Sequence, residues 1–193
     1  MAQLKMYWMA GTPIRHYELP EGYSVSNYKG REDKFPWIEC CKNGLVGDDA
    51  GEGAFDGCMF TRKGLDVFKD VFFLDYHGEH VGTVTAFIHE EDGVGDMHMV
   101  GIRTDFRGKG LSKYLTQITL EHLTGRVPFI ELTTDDWRKP AVKGYIAGGF
   151  LPVEYDTGME ERWQALVDEL DLGDVQMLND DTTPYKTLHR SKN

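Results

Sequence analysis

From Val71 onward the chain alternates between two hydrophobic periods. Val71 to Tyr76 and Val81 to Ile88 are β-branched and aromatic runs. His77-Gly78-Glu79-His80 separates them, which predicts a β-hairpin. A third run, Asp96 to Arg103, follows the turn-like Glu91-Asp92-Gly93-Val94-Gly95 and predicts another strand. The period then changes. Leu111, Leu115, Ile118 and His122 recur at helical spacing, Tyr114 and Leu123 widen the stripe, and Gly125 stands where a helix would stop. Phe129 to Thr133 predicts a strand, Pro140 opens a helix that Gly148-Gly149 closes, and Phe150 to Tyr155 predicts a last strand.

The flanks are less regular. Tyr23 to Tyr28 alternates well enough for a first strand. Arg31 to Asn43 predicts a helix, with Pro36 tolerable near its first turn. Gly47 to Gly57, rich in Gly and Asp, reads as a mobile acidic loop, and residues 58–69 as another short helix. Thr157-Gly158-Met159-Glu160 has the spacing of a capping box ahead of an amphipathic stripe of Trp163, Leu166, Val167 and Leu170. The last twenty or so residues are polar, and either an irregular tail or an extra strand fits them. No repeat, low-complexity segment or linker interrupts residues 1–193. The expectation is one domain, with 156–193 a C-terminal helix and polar tail. Hairpin, strand, helix, strand, helix and strand in that order make a mixed α/β (α+β) fold with a largely antiparallel front half.

Composition narrows the class. A chain of 193 residues with 40% hydrophobic and 27% charged positions suits a globular protein with one sizeable core. No window holds the roughly 18 apolar residues of a membrane helix. The apolar start, Met1 to Met9, lacks the longer core and cleavage site of a signal peptide, so a cytoplasmic location is expected. Cys40, Cys41 and Cys58 form neither a disulfide framework nor a CxxC metal pair, and reduced, mostly buried thiols are expected. His77, His80 and His89 show no metal-ligand spacing, and no metal is predicted. The net charge of −11 argues against nucleic acid as a partner, because such binding relies on Lys and Arg neutralising phosphates. It fits a cationic substrate and equally serves solubility.

Chemistry concentrates between the third strand and the following helix. In Ile102 to Leu115 a strand ends, the turn Arg107-Gly108-Lys109-Gly110 follows, and an amphipathic helix begins at once. Glycines let backbone N–H groups approach a ligand, and a helix N-terminus carries partial positive charge. Arg107, Lys109 and Lys113 add cations, so the segment suits a pyrophosphate. The spacing is neither that of a P-loop nor that of a dinucleotide-binding GxGxxG turn.

This segment resembles motif A of the GNAT acetyltransferase superfamily, Q/R-x-x-G-x-G/A, with Arg107, Gly110 and Ser112 at its fixed positions; Ser112 stands for Gly or Ala. Arg138 to Phe150 is similar to the family's N-x-x-A-x-x-L-Y-x-x-x-G-F, with Ala141, Tyr145, Gly149 and Phe150 matching. Arg138 stands where the family has Asn and Gly144 where it has Leu, so the pantetheine contact of that Asn is not implied here. The resemblance covers residues 71–155. It implies the GNAT fold: a mixed sheet of six or seven strands with flanking helices, splayed between the strands at 96–103 and 129–133.

The resemblance also implies the chemistry. Acetyl-CoA would be the co-substrate, with its pyrophosphate on the backbone of Arg107, Gly108, Lys109, Gly110, Leu111, Ser112 and Lys113. Val100 and Ile102 fall at the strand positions whose backbone holds pantetheine. Asp96 and His98 share one face of their strand and match positions where the family places a general base; His98 has the better intrinsic pKa, and Asp96 would orient it or bind the amine. Tyr145 matches the general acid near the CoA sulfur. Asp135 and Asp136 are candidates for helix capping or for binding a cationic amine. The acceptor would be a small-molecule or peptide amine, and a homodimer is compatible with all of this. Transfer of another acyl group, an oxygen acceptor, or a CoA-binding regulatory module without turnover remain open alternatives.

Overall fold

The structure is a computed structural model that describes residues 2–42 and 44–191. Its chain forms two compact units, residues 13–128 and residues 1–12 with 129–193.

The larger unit is an antiparallel meander. Its strands β2 (Tyr23–Asn27), β3 (Val71–Tyr76), β4 (Glu79–Ile88) and β5 (Gly95–Ile102) lie side by side in chain order. The β3–β4 connection is tight, because His77 and Gly78 both take positive φ (48° and 86°), which matches the right-handed twist of paired strands. Between β2 and β3 run α1 (Lys34–Cys41), α2 (Gly53–Met59) and the single turn α3 (Val67–Asp70). α4 (Ser112–Leu123) follows β5.

Helices cover both faces of this meander. A Cβ built on Gly101 would lie 2.6 Å from the carbonyl oxygen of Cys40, so only glycine lets α1 approach that face so closely. Gly82 points to the opposite face and meets Leu115 of α4. Under α1 and α2 lies a core of Tyr28, Trp37, Ile38, Phe55, Met59, Val71 and Phe73. Cys41 belongs to this core; Cys40 is also buried, and burial pushes its thiol up to about 12. His80 stacks on Phe73, with ring centroids 3.9 Å apart. Its Nδ1 meets Asp75 at 2.5 Å, and its Nε2 lies 3.4 Å from Asp33, just ahead of α1.

The smaller unit orders its strands β6 (Phe129–Thr134), β1 (Leu4–Met9), β7 (Leu151–Glu154), β8 (Val175–Asn179) and β9 (Pro184–Leu188). β1 pairs antiparallel with β6 and β7, while β7 and β8 run parallel across α6 (Met159–Glu169), as a strand–helix–strand crossover requires. α5 (Lys139–Ala147) starts with Pro140 in its first turn and ends before Gly149, whose φ is +95°. Trp163, Leu166 and Val167 form the buried stripe of α6.

The α/β class and the mixed sheet structure with flanking helices match the expectation, but the count does not. There are nine strands among the described residues, against six or seven expected. The extra ones are β1, at the apolar start, and β8 and β9, in the polar tail. The acidic loop is half helical: Phe55 and Met59, four residues apart and fully buried, draw 53–59 into α2 despite its glycines. Residues 60–66 are non-helical, so the helix expected over 58–69 survives only at its two ends, in the last residues of α2 and in α3. α1 ends at Cys41; the expected end, Asn43, lies outside the described residues. The capping box does not form. Gly158 takes the N-cap position at φ +87° with no side-chain cap, and Glu160 instead accepts from Tyr185 Oη at 2.7 Å and pairs with Lys186. No helix among the described residues is long and apolar enough to cross a membrane.

Candidate active site

β5 carries a break in its ladder. Thr85 pairs with His98 and Thr83 with Gly101, so Met99 and Val100 together face one residue of β4. Met99 takes φ +50°, which marks a β-bulge. Asp96 and His98 precede the bulge and keep their shared face, while Val100 falls out of step with the β4 ladder. Ile102 returns to register opposite Gly82. Its carbonyl already accepts a hydrogen bond from Arg107 Nε at 2.9 Å.

The turn after β5 is built to leave its N–H groups open. A short 3-10 turn at Thr104–Phe106 brings the chain round, and Gly108 and Gly110 then take φ of +76° and +70°. The N–H groups of Gly108, Lys109, Gly110 and Leu111 have no intramolecular acceptor among the described residues. Ser112 and Lys113 add the unpaired N–H groups of the first turn of α4. A Cβ at Gly108 or Gly110 would meet nothing within 4 Å, so the space before these groups is clear. Leu111 is buried beneath and anchors the helix start.

The cations around this turn are positioned in two ways. Arg107 bends back, donating to the carbonyls of Ile102 and, from Nη2 at 2.7 Å, Lys42. It braces the turn against the residue that follows α1. Lys109 Nζ lies 4.2 Å from the centroid of the Phe106 ring, and Lys113 Nζ 4.7 Å and 4.9 Å from those of Tyr17 and Tyr114. Aromatic faces hold these ammonium groups without cancelling their charge. Neither Phe106 nor Tyr17 belongs to a motif of the sequence; an aromatic directly before the basic turn was the available signal for the first. Tyr17 lies about a hundred positions away and carried none.

His98 is mostly buried, and burial holds its pKa below the usual imidazole value, partly countered by the Asp96 carboxylate and by a hydrogen bond to the backbone of Cys58 in α2. Burial thus favours the neutral imidazole, and Nε2 is itself a buried atom without a hydrogen-bond partner among the described residues. Asp96 does not hydrogen-bond His98 as expected; its carboxylate pairs with His89 Nε2 at 3.2 Å. Its influence on His98 is through charge.

Tyr145 belongs to the smaller unit, on α5, edge-on to Phe150. Burial pushes its phenol up to about 12. Asp135 and Asp136 neither cap α5 nor stand ready for an amine. Asp135 accepts from Arg138 Nε at 2.9 Å and from Gln3, and Asp136 pairs with Arg162, whose Nε lies 3.1 Å away. The Asp136–Arg162 pair lines an open cavity of about 490 Å³ beside the exposed Trp137.

The family model described as "Acetyltransferase (GNAT) family" matches residues 48–150. A mycothiol acetyltransferase of Streptomyces coelicolor is 31% identical over 151 residues, 77% of this chain and 49% of that protein. Another, from Streptomyces scabiei, is 32% identical over 141 residues, 72% of this chain and 46% of that protein. The chain spans about half the length of the curated relatives it matches. Among solved structures, a GCN5-related N-acetyltransferase from Sphaerobacter thermophilus shares the fold at a TM-score of 0.60 and 20% identity, over 78% of this chain and 49% of that one. With an open glycine-rich turn at the motif's own position and a family match over more than half its length, the chain belongs to the GNAT acetyltransferase family.

Proposed function

We propose that this protein transfers an acetyl group from acetyl-CoA to an amine, and that residues 1–193 act as one acetyltransferase domain. The observation that carries the reading is the run of open N–H groups from Gly108 into α4, with clear space before two left-handed glycines. Six adjacent donors and a helix N-terminus suit a pyrophosphate. Arg107 braces that turn. The backbone of Val100, freed from the β4 ladder by the bulge, and that of Ile102 hold the pantetheine arm.

In the reaction the amine nitrogen bonds the thioester carbon, the C–S bond breaks, and the amine loses one proton while the thiolate gains one. His98 Nε2 takes the first proton, directly or through water. A neutral, unshared imidazole nitrogen is the form a base requires. Tyr145 gives the second, since a phenol held near 12 stays protonated across the working range. Asp96 tunes the base by favouring the imidazolium.

The test is release of free CoA thiol against a panel of amines that includes mycothiol lacking its acetyl group. Tyr145→Phe is expected to lower turnover about 100-fold or more with CoA affinity kept. In the wild type kcat/KM should rise with pH through a midpoint below 6.5, because the depressed His98 must lose its proton first. His98→Ala should lose that limb. Asp96→Asn should move it to still lower pH, because the charge that favours the imidazolium is gone. A limb that survives His98→Ala and vanishes in Asp96→Asn assigns the base to Asp96; one that survives both belongs to the amine. CoA binding without thiol release on any amine would leave a CoA-binding module in place of an enzyme.

A further inference from the structure

The segment ahead of β2 crosses the outer face of α4. The Tyr17 N–H donates to Gln117 Oε1 at 2.7 Å, and His16 Nδ1 meets Glu121 Oε1 at 3.0 Å. Gln117 Nε2 in turn donates to Glu121 Oε1 at 2.8 Å, so the helix holds both of its anchors in place. This sets the Tyr17 ring edge-on to Tyr114, with centroids 6.2 Å apart. Lys113 Nζ sits in the corner between the two rings.

That corner is unusual in this chain. The net charge is −11, and Lys5, Lys34, Lys42, Lys63, Lys69, Lys139 and Lys186 each meet a carboxylate. Lys113, like Lys29, Lys109 and Lys143, has no carboxylate within ion-pair distance among the described residues, and it alone of these lies against two rings. Two rings fix its side chain, which lowers the entropy cost of placing it, and leave its full charge for an external anion. It also stands at the far end of the open N–H run, one residue beyond Ser112.

We infer that Lys113, positioned by Tyr17 and Tyr114, takes the 3′-phosphate on the ribose of coenzyme A, while the backbone from Gly108 to Ser112 takes the pyrophosphate. This rests on the reading of the turn as a coenzyme A cradle. The division follows from donor supply. The pyrophosphate oxygens are met by backbone N–H groups, whereas the 3′-phosphate, a monoester carrying nearly two charges, needs a separate cation. Tyr17 is then a positioning residue, and the segment before β2 serves coenzyme discrimination.

The experiment compares dissociation constants of CoA and 3′-dephospho-CoA by calorimetry at fixed salt. The wild type should prefer CoA about tenfold, the scale of one charge-assisted phosphate contact. Lys113→Met should lose the preference by weakening CoA alone, with 3′-dephospho-CoA unchanged. Tyr17→Leu should reduce the preference to about threefold, and Tyr17→Phe, which keeps the ring, should restore it. A structural role for Tyr17 would instead weaken both ligands together. Equal affinity of the wild type for the two coenzymes, or equal loss of both in Lys113→Met, overturns the assignment and leaves the cradle standing. A wild type that binds neither coenzyme overturns the cradle itself.

Discussion

Two turns in this molecule have the same place in a strand-to-helix connection and opposite electrostatic designs. The turn from β5 into α4 carries Arg107, Lys109 and Lys113, held by carbonyls and aromatic rings. The turn from β6 into α5 carries Arg138 and Lys139, and its charges close on carboxylates: Arg138 on Asp135, Lys139 on Glu169, and Asp136 on Arg162. Neutral holders leave a cation's field intact, whereas an ion pair cancels most of it within a few ångströms. What separates the two turns is therefore the nature of each cation's partner. Counting basic residues would not distinguish the two.

The largest expected effect comes from closing the open turn sterically. Gly110→Val forces a β-branched residue into φ +70°, at a cost of about 1–3 kcal/mol, and places methyl groups before the N–H run. CoA affinity should fall at least about 100-fold, with the far-ultraviolet circular dichroism unchanged. Equal affinity in variant and wild type would remove the cradle. A smaller effect should follow from giving the open turn the closed turn's chemistry. Lys109→Glu should weaken CoA about tenfold at low ionic strength and less at high salt, because an exposed charge is screened; a loss independent of salt would point to distortion. Smallest is the converse change. Arg162→Ala opens the closed turn, and with Asp136 some 42% exposed the pair contributes only about 0.5 kcal/mol. A small drop in the urea midpoint with unchanged CoA affinity is expected, and a large loss of affinity would erase the distinction between the turns.

How much of this could be read from the chain follows from how local each feature is. Turn chemistry is local, so Arg107 to Ser112 and the Gly125 and Pro140 boundaries were legible. β1 was not: Leu4–Met9 become a strand by pairing with β6 and β7, more than a hundred positions away. The tail left an extra strand open without placing it: the first residues of β9, Pro184, Tyr185 and Lys186, are exposed, and β8 pairs parallel with β7 only after the crossover through α6. The bulge at Met99 was invisible for a different reason. Nothing in Met97-His98-Met99-Val100 signals an unpaired residue, yet it decides which backbone groups of β5 are left outside the ladder. His98 and Tyr145 came from their motif positions. What the sequence could not supply was their environment, the burial that lowers one pKa and raises the other.

The stacking of His80 on Phe73 has a spectroscopic consequence. An imidazole lying nearly parallel to a benzene ring, at a centroid distance of 3.9 Å, sits in its shielding cone. The carbon-bound protons of His80 should resonate well upfield of those of the exposed His16. Because Nε2 of the same ring faces Asp33 at the entrance to α1, loss of that docking would let the ring turn away from Phe73 and return its signals toward the ordinary imidazole region. One assigned histidine resonance would thus report, without any added label, on whether the first helix remains seated as ligands, salt or pH are varied.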